Sequence, residues 1–129
     1  MSKIVKNWFK FASQDLKMAK LSLAAGSEFK NISAFHSQQC AEKAIKGFLT
    51  FHKVRFSKTH DLIQLATEVA VVDVKLSKLI IKTKGLTEYA VVFRYPSIEK
   101  KPLSLKKAKI AIKQSQVVYD ECFKKVFGT

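Results

Sequence analysis

The sequence is poor in the residues that interrupt or cross-link a chain. Its 129 residues include four Gly, two Pro and two Cys. Such a low content of Gly and Pro favours a single domain over residues 1–129 with one core. Cys40 and Cys122 form no CxxC pair, and no His stands at ligand spacing from them. The sequence therefore predicts two reduced, packed thiols, and it predicts no metal site and no cofactor.

Acidic residues are also scarce. Ten Asp and Glu residues stand against 24 Lys and Arg residues, which gives a formal net charge of +14. A surplus of this size attracts RNA, DNA, nucleotides, anionic lipid or an acidic protein. Residues 100–119 hold six Lys and no acid, and Lys106, Lys107, Lys109 and Lys113 form the predicted basic patch. A solvated helix face that keeps the protein soluble explains these lysines equally well.

Long apolar runs are missing from the sequence. No segment approaches the roughly 18 apolar residues that a membrane-spanning helix needs. The first segment, MSKIVKNWFKFASQDL, alternates charged and apolar residues too closely for the core of a signal peptide. We therefore expect a cytoplasmic protein that does not bind a membrane.

Apolar residues at helical spacing are abundant. They predict a first helix over 4–25 that buries Trp8 and Phe11, and a central helix near 31–53. Three further helices are predicted from residues that favour the N-cap position: Thr59, Asp73 and Ser104. The fourth helix is predicted to continue to Tyr89, and the last to bury Leu105, Ala108, Ile112, Tyr119 and Phe123. Short connections favour an all-α fold, an antiparallel up-and-down bundle of four to five helices.

The central helix carries polar residues beside its apolar face, and the first helix carries an acid within its apolar face. This polar cluster comprises Asp15, Gln38, Gln39 and Glu42. A buried acid needs a hydrogen-bond donor or a cation, so Asp15 is predicted to pair with Lys43 or Arg94. An ion pair that fixes the helix register, a hydrated dimer interface and a functional site all explain the cluster.

Four segments in order resemble the HEPN domain, a family named for its occurrence in higher eukaryotes and prokaryotes. They are NWFKFASQDLKMAK at 7–20, AFHSQQCAEKAIKGFL at 34–49, KTHDL at 58–62 and FRYP at 93–96. The resemblance implies a helical bundle that is usually a homodimer, often encoded beside a minimal nucleotidyltransferase in a toxin–antitoxin module. It also implies nucleotide binding. Members with an Arg, four to six residues and then a His are metal-independent ribonucleases.

Residues that match these roles are few. For a nucleotide, Lys43 and Arg94 are predicted to contact phosphate and Tyr95 to contact a base. No His follows Arg94, and the one pair at the ribonuclease spacing is Arg55 and His60, which precedes the third helix.

The sequence leaves three functions open. We expect a homodimeric module that binds nucleotides or RNA, paired with a minimal nucleotidyltransferase or another acidic partner. One alternative is a metal-independent endoribonuclease toxin that uses Arg55 and His60. The other is a structural helical dimer without chemistry.

Overall fold

The computed structural model describes residues 1–92 and 103–128. These residues form six α-helices: α1 (Lys3–Ala25), α2 (Lys30–Phe51), α3 (Leu62–Val69), α4 (Val74–Ile81), α5 (Tyr89–Val92) and α6 (Leu105–Phe127). Short 3-10 segments at Ser27–Phe29 and Lys84–Glu88 precede α2 and α5. The predicted all-α bundle is confirmed, and no helix in the described part of the chain has the length and apolar run for a membrane crossing.

The long helix α2 lies at the centre and packs mainly against α1 and α6. Ile45, Phe48 and Leu49 of α2 are buried, whereas Ile32 and Phe35 are partly buried and Phe51 is 38% exposed. Helix α1 approaches α2 closely at Gly47, where an added Cβ would lie 2.7 Å from the Phe9 ring. The absence of a side chain at Gly47 therefore allows this close approach of the two helices.

The buried face of α1 differs from the prediction. Phe9 is buried, whereas Phe11 is 47% exposed and Trp8 is only partly buried. The reason is the packing of α6, which places Tyr119, Phe123 and Phe127 in edge-on contact with the Phe9 ring. The prediction for Phe11 is wrong because periodicity did not show where α6 would lie.

The start of α6 corrects another burial prediction. Leu105 is 41% exposed and lies outside the core, whereas Leu103, just before the helix, is buried. Leu103 packs with Ala34 and Ala108 in a small apolar cluster. The buried leucine at this end of α6 is therefore Leu103, and the burial prediction for Leu105 is wrong.

Capping confirms two predicted helix starts and corrects a third. The side chains of Asp73 and Ser104 accept hydrogen bonds from the backbone N–H groups of Leu76 and Lys107, so they cap α4 and α6 as predicted. Thr59 is not an N-cap. Asp61 caps α3 by accepting from the backbone of Ile63, and the Thr59 hydroxyl accepts from the backbone N–H of Asp61.

Helix α4 ends earlier than predicted. It stops at Ile81. The 3-10 segment Lys84–Glu88 follows, and Tyr89 is the first residue of α5. The Thr83 hydroxyl donates to the carbonyl of Ile80, which offers this backbone a local partner in place of a continued helix.

The predicted packed thiols, Cys40 and Cys122, are buried and free, and burial raises the pKa of both.

Candidate functional site

The Glu42 carboxylate is the centre of a buried hydrogen-bond network on α2. Its Oε2 accepts from Nζ of Lys46 at 2.8 Å, and its Oε1 lies 3.0 Å from Nε2 of Gln38 and 2.8 Å from Nδ1 of His60. Burial alone would raise the pKa of Glu42, but the hydrogen bonds from Lys46, His60 and Gln38 hold that pKa below its usual value. An ionised carboxylate is an acceptor only, so Nδ1 of His60 is the donor.

Two glutamines extend this network and satisfy its amide groups. Gln38 is fully buried, and its Nε2 also donates to the carbonyl oxygen of His60 at 3.1 Å. Its Oε1 accepts from Nε2 of Gln39 at 2.7 Å. The polarity beside the buried face of α2 is therefore explained by contacts within the chain, which hold the segment before α3 against α2.

Asp15 forms a second carboxylate centre between α1 and α2. Its Oδ2 accepts from Nζ of Lys43 at 2.7 Å, and its Oδ1 lies 2.9 Å from Nδ1 of His36. Of the two partners predicted for Asp15, Lys43 is therefore present. Arg94 and Tyr95, the other predicted nucleotide contacts, lie outside the described residues.

The two centres have the same composition, although they come from different parts of the chain. In each, a buried carboxylate binds one Lys ammonium and Nδ1 of one His. Within residues 1–92 and 103–128, Nε2 of each imidazole has no hydrogen-bond partner, and the His60 side chain is 56% exposed. Three of these four partners, His36, Lys43 and Lys46, lie on α2, and His60 lies in the connection before α3.

Sequence reasoning missed three of these four contacts: Asp15 with His36, Glu42 with Lys46, and Glu42 with His60. The spacing of Glu42 and Lys46, four residues apart on a helix, is a signal that was available. The contact between Glu42 and His60 joins residues 18 apart through a connection without regular structure, and no spacing rule predicts it. His60 precedes α3 and is not the first-turn residue that a Thr59 cap would make it.

Arg55 and His60, the predicted catalytic pair, do not contact each other. Arg55 is exposed in the connection between α2 and α3, and within residues 1–92 and 103–128 it has no hydrogen bond or ion pair. His60 contacts Glu42 instead. Near this connection, the Phe56 ring packs edge-on against Trp8 at 6.3 Å, and Nζ of Lys46 lies 5.9 Å from the Phe56 ring centre.

The predicted basic patch lies on the exposed side of α6. Lys106, Lys109 and Lys113 follow each other at helical spacing and, with Leu105 and Ile110, line a surface cavity of about 430 Å³. Lys107 is also exposed, but it does not line this cavity. We call the five lining residues the lysine cavity.

The lysine cavity combines charge with apolar walls. Leu105 and Ile110 are 41% and 43% exposed, and the lysines have no acidic neighbour along this part of the helix. Ammonium groups without a nearby carboxylate attract anions, and the apolar side chains offer contact to a ring or chain. The arrangement fits a ligand that carries phosphate and an apolar or aromatic group.

Comparisons with known proteins agree with this architecture. The family model described as HEPN domain matches residues 5–126. A protein of Methanocaldococcus jannaschii described as "Putative toxin MJ1304" is 34% identical over 100 residues, which cover 73% of this chain. The match covers 64% of that protein, so this chain spans less than two thirds of its length.

Two solved structures are similar over almost the whole chain. One is the crystal structure of ST0689, an archaeal HEPN homologue, with a TM-score of 0.73 and 21% identity, covering 98% of this chain and 99% of that one. The other is the crystal structure of TT1696 from Thermus thermophilus, with a TM-score of 0.77 and 23% identity, covering 96% and 99%. At these identities the likeness shows a shared fold.

Proposed function

The chain belongs to the HEPN domain family, and on that basis we propose that it is a homodimeric, toxin-like module that binds nucleotides or RNA in the cytoplasm. A minimal nucleotidyltransferase or another acidic protein is the proposed partner. The observation that carries the binding function is the lysine cavity on α6. The toxin-like role is supported by the relative from M. jannaschii, whose description names a toxin.

The lysine cavity offers a nucleotide an open surface on α6. Its volume is about 430 Å³, and its five lining residues all belong to that one helix. Lys106, Lys109 and Lys113 present three ammonium groups on one side of the helix for phosphate oxygens. Leu105 and Ile110 offer apolar contact to a base or ribose. In RNA, successive phosphates would be bound with release of counterions, which makes the affinity depend steeply on salt.

A charge-reversal experiment tests this assignment. The variant Lys106→Glu/Lys109→Glu/Lys113→Glu is compared with Lys75→Glu/Lys78→Glu/Lys82→Glu, which changes three exposed lysines at the same spacing on and just after α4. Fluorescence anisotropy measures binding to single-stranded RNA and to a labelled ATP analogue. We expect the α6 variant to lose at least about tenfold more affinity than the α4 variant. Equal losses would mean that only net charge matters, which would overturn the assignment.

One observation favours a second candidate function, metal-independent cleavage of RNA. The His60 imidazole is held at Nδ1 by the buried Glu42 carboxylate, an arrangement that orients a general base. Nε2 would accept the proton of a 2′-hydroxyl, the 2′-oxygen would bond to phosphorus, and the 5′-oxygen would leave with the proton of the His60 imidazolium so formed. The products would be a 2′,3′-cyclic phosphate and a 5′-hydroxyl. Arg55 would stabilise the charged phosphate.

Cleavage is tested in EDTA with the wild type, His60→Ala and Arg55→Ala. His52→Ala is a matched control, because this exposed His packs against the rings of Phe48 and Phe51 and has no carboxylate contact among the described residues. The ribonuclease function predicts cleavage that is lost in the first two variants and kept in the control, with an unchanged dimer mass by light scattering. If neither the wild type nor any variant cleaves RNA, the ribonuclease function is wrong and the proposed binding function is unaffected.

A further inference from the structure

Helix α1 carries a sequence repeat that the bundle does not bury. The pairs Lys3–Ile4, Lys10–Phe11 and Lys17–Met18 follow each other at intervals of seven residues. Ile4, Phe11 and Met18 are 63%, 47% and 45% exposed, and the three lysines are exposed as well. We call these six residues the α1 outer stripe.

The seven-residue interval places the repeat along one side of the helix. Seven residues make almost two turns, so the apolar side chains form a line and the lysines form a second line beside it. The stripe extends about 21 Å at 1.5 Å per residue. Ile4, Phe11 and Met18 stand about 10 Å apart along this line, a spacing that apolar side chains at heptad positions of a partner helix can match.

The charge of α1 has one sign wherever it is exposed. Its exposed charged residues are all lysines, at positions 3, 6, 10, 17 and 20. The one acid of the helix, Asp15, is buried and binds Lys43 and His36. None of these lysines forms an ion pair with an acid in the described part of the chain, so the stripe presents an apolar line beside a row of ammonium groups.

We propose that the α1 outer stripe binds an acidic amphipathic helix of a partner protein. In the complex, apolar side chains at heptad spacing would pack against Ile4, Phe11 and Met18, while Asp or Glu side chains would face the lysine row. The inference rests on the acidic partner of the proposed function, and it names the surface and the chemistry of that partner. It does not depend on nucleotide binding at α6.

Charge selects this occupant over two others. A second copy of the stripe would bring one lysine row close to another, which costs free energy and opposes pairing. A nucleic acid would neutralise the lysines, but Ile4, Phe11 and Met18 are spread over about 21 Å along the helix, which matches the heptad spacing of a partner helix and not the size of one base. An acidic helix with an apolar seam satisfies both parts of the stripe at once.

The binding experiment uses a synthetic peptide of three heptads, with Leu at the a and d positions and Glu at the e and g positions. Its control is an isomer of the same composition in which the heptad order is scrambled. We expect the wild-type protein to bind the heptad peptide at least about tenfold more tightly than the isomer, by fluorescence anisotropy. Equal binding of the two peptides would mean simple charge attraction and would overturn the proposal.

Matched variants localise the peptide on the protein. Phe11→Asp is compared with Val71→Asp, which changes a 77% exposed residue between α3 and α4. Lys10→Glu/Lys17→Glu is compared with Lys75→Glu/Lys82→Glu, which has the same seven-residue spacing elsewhere. Peptide affinity should fall at least about tenfold further in each stripe variant than in its control. Circular dichroism and thermal melting establish that each variant is folded. If Phe11→Asp does not fold, Met18→Asp is used in its place.

Two other measurements separate the alternatives. If Phe11→Asp lowers the mass of the unliganded protein by light scattering, a second copy covers the stripe and the proposal is wrong. If Lys10→Glu/Lys17→Glu weakens RNA binding as much as the α6 variant does, the stripe is a nucleic-acid surface and the proposal is also wrong. Loss of peptide binding with unchanged RNA binding supports the proposal. If the protein binds no RNA at all, the proposed nucleic-acid function is wrong, but the result of the peptide experiment still holds.

Discussion

Replacement of Glu42 by Gln should destabilise the fold strongly. The side chain is 6% exposed, and its carboxylate is the anionic partner of Lys46, whose side chain is 11% exposed. Gln has nearly the same shape but carries no charge, so Glu42→Gln leaves the buried Lys46 ammonium without its counter-ion. Removing one partner of a buried ion pair costs about 3 kcal/mol. The Gln oxygen can still accept from Nδ1 of His60, but the NH2 group that replaces Oε2 would then face the Lys46 ammonium, which adds to that cost in the same direction.

Urea unfolding at neutral pH measures this cost, with Glu88→Gln as a control at an exposed acid. The double variant Glu42→Gln/Lys46→Met should recover part of the loss, because it removes both charges and leaves neither unpaired. A Glu42→Gln variant whose free energy of unfolding lies within about 0.5 kcal/mol of the wild type would refute the description of this network as a buried ion pair.

The same substitution has a definite pH dependence. The pKa of Glu42 is lower in the folded protein than its ordinary value of 4.5. A depressed folded pKa contributes stability that is fully present above the unfolded pKa and is lost as the pH falls through the folded pKa. The difference in unfolding free energy between wild type and Glu42→Gln should therefore shrink as the pH falls below about 4.5. A difference that stays constant down to about pH 3 would contradict the assigned pKa direction.

Three further predictions concern the core, the caps and the thiols. Gly47→Ala should destabilise by about 1–3 kcal/mol in urea unfolding, because its Cβ would lie 2.7 Å from the Phe9 ring, which α6 holds in place; an unchanged midpoint would contradict this. Ser104→Ala should cost about 1 kcal/mol by the same assay, and Ser104→Asp should restore it. Cys40 and Cys122 should react with a thiol reagent only in denaturant, since burial raises their pKa.

Sequence periodicity and capping residues predicted the bounds of the long helices and two of the helix starts. The predicted bounds of α1 and α2 lie within two residues of the observed ones, and Asp73 and Ser104 cap the helices that were assigned to them. The start of α3 was missed because Thr59 and Asp61 are both good capping residues. The choice between them depends on which side chain reaches a backbone N–H of the first turn, and this is a property of the folded connection.

Burial and site contacts depend on packing that periodicity does not contain. The spacing of apolar residues in α1 allows either Phe9 or Phe11 to face inward, and the aromatic rings of α6 decide for Phe9. The ion pair of Asp15 with Lys43 could be anticipated, because both residues lie on long helices that were predicted to be neighbours. The contact of Glu42 with His60 could not, because it depends on the path of an irregular connection.

The most direct test of the central claim is to locate the bound nucleotide by NMR. Amide chemical shifts of the ¹⁵N-labelled protein are followed during titration with ATP and then with a short single-stranded RNA. Binding at the lysine cavity predicts saturating shifts concentrated at residues 105–113, which weaken as salt is added. Saturating shifts confined to His36, Lys43, Lys46 and His60, or no saturable shifts with either ligand, would contradict the account.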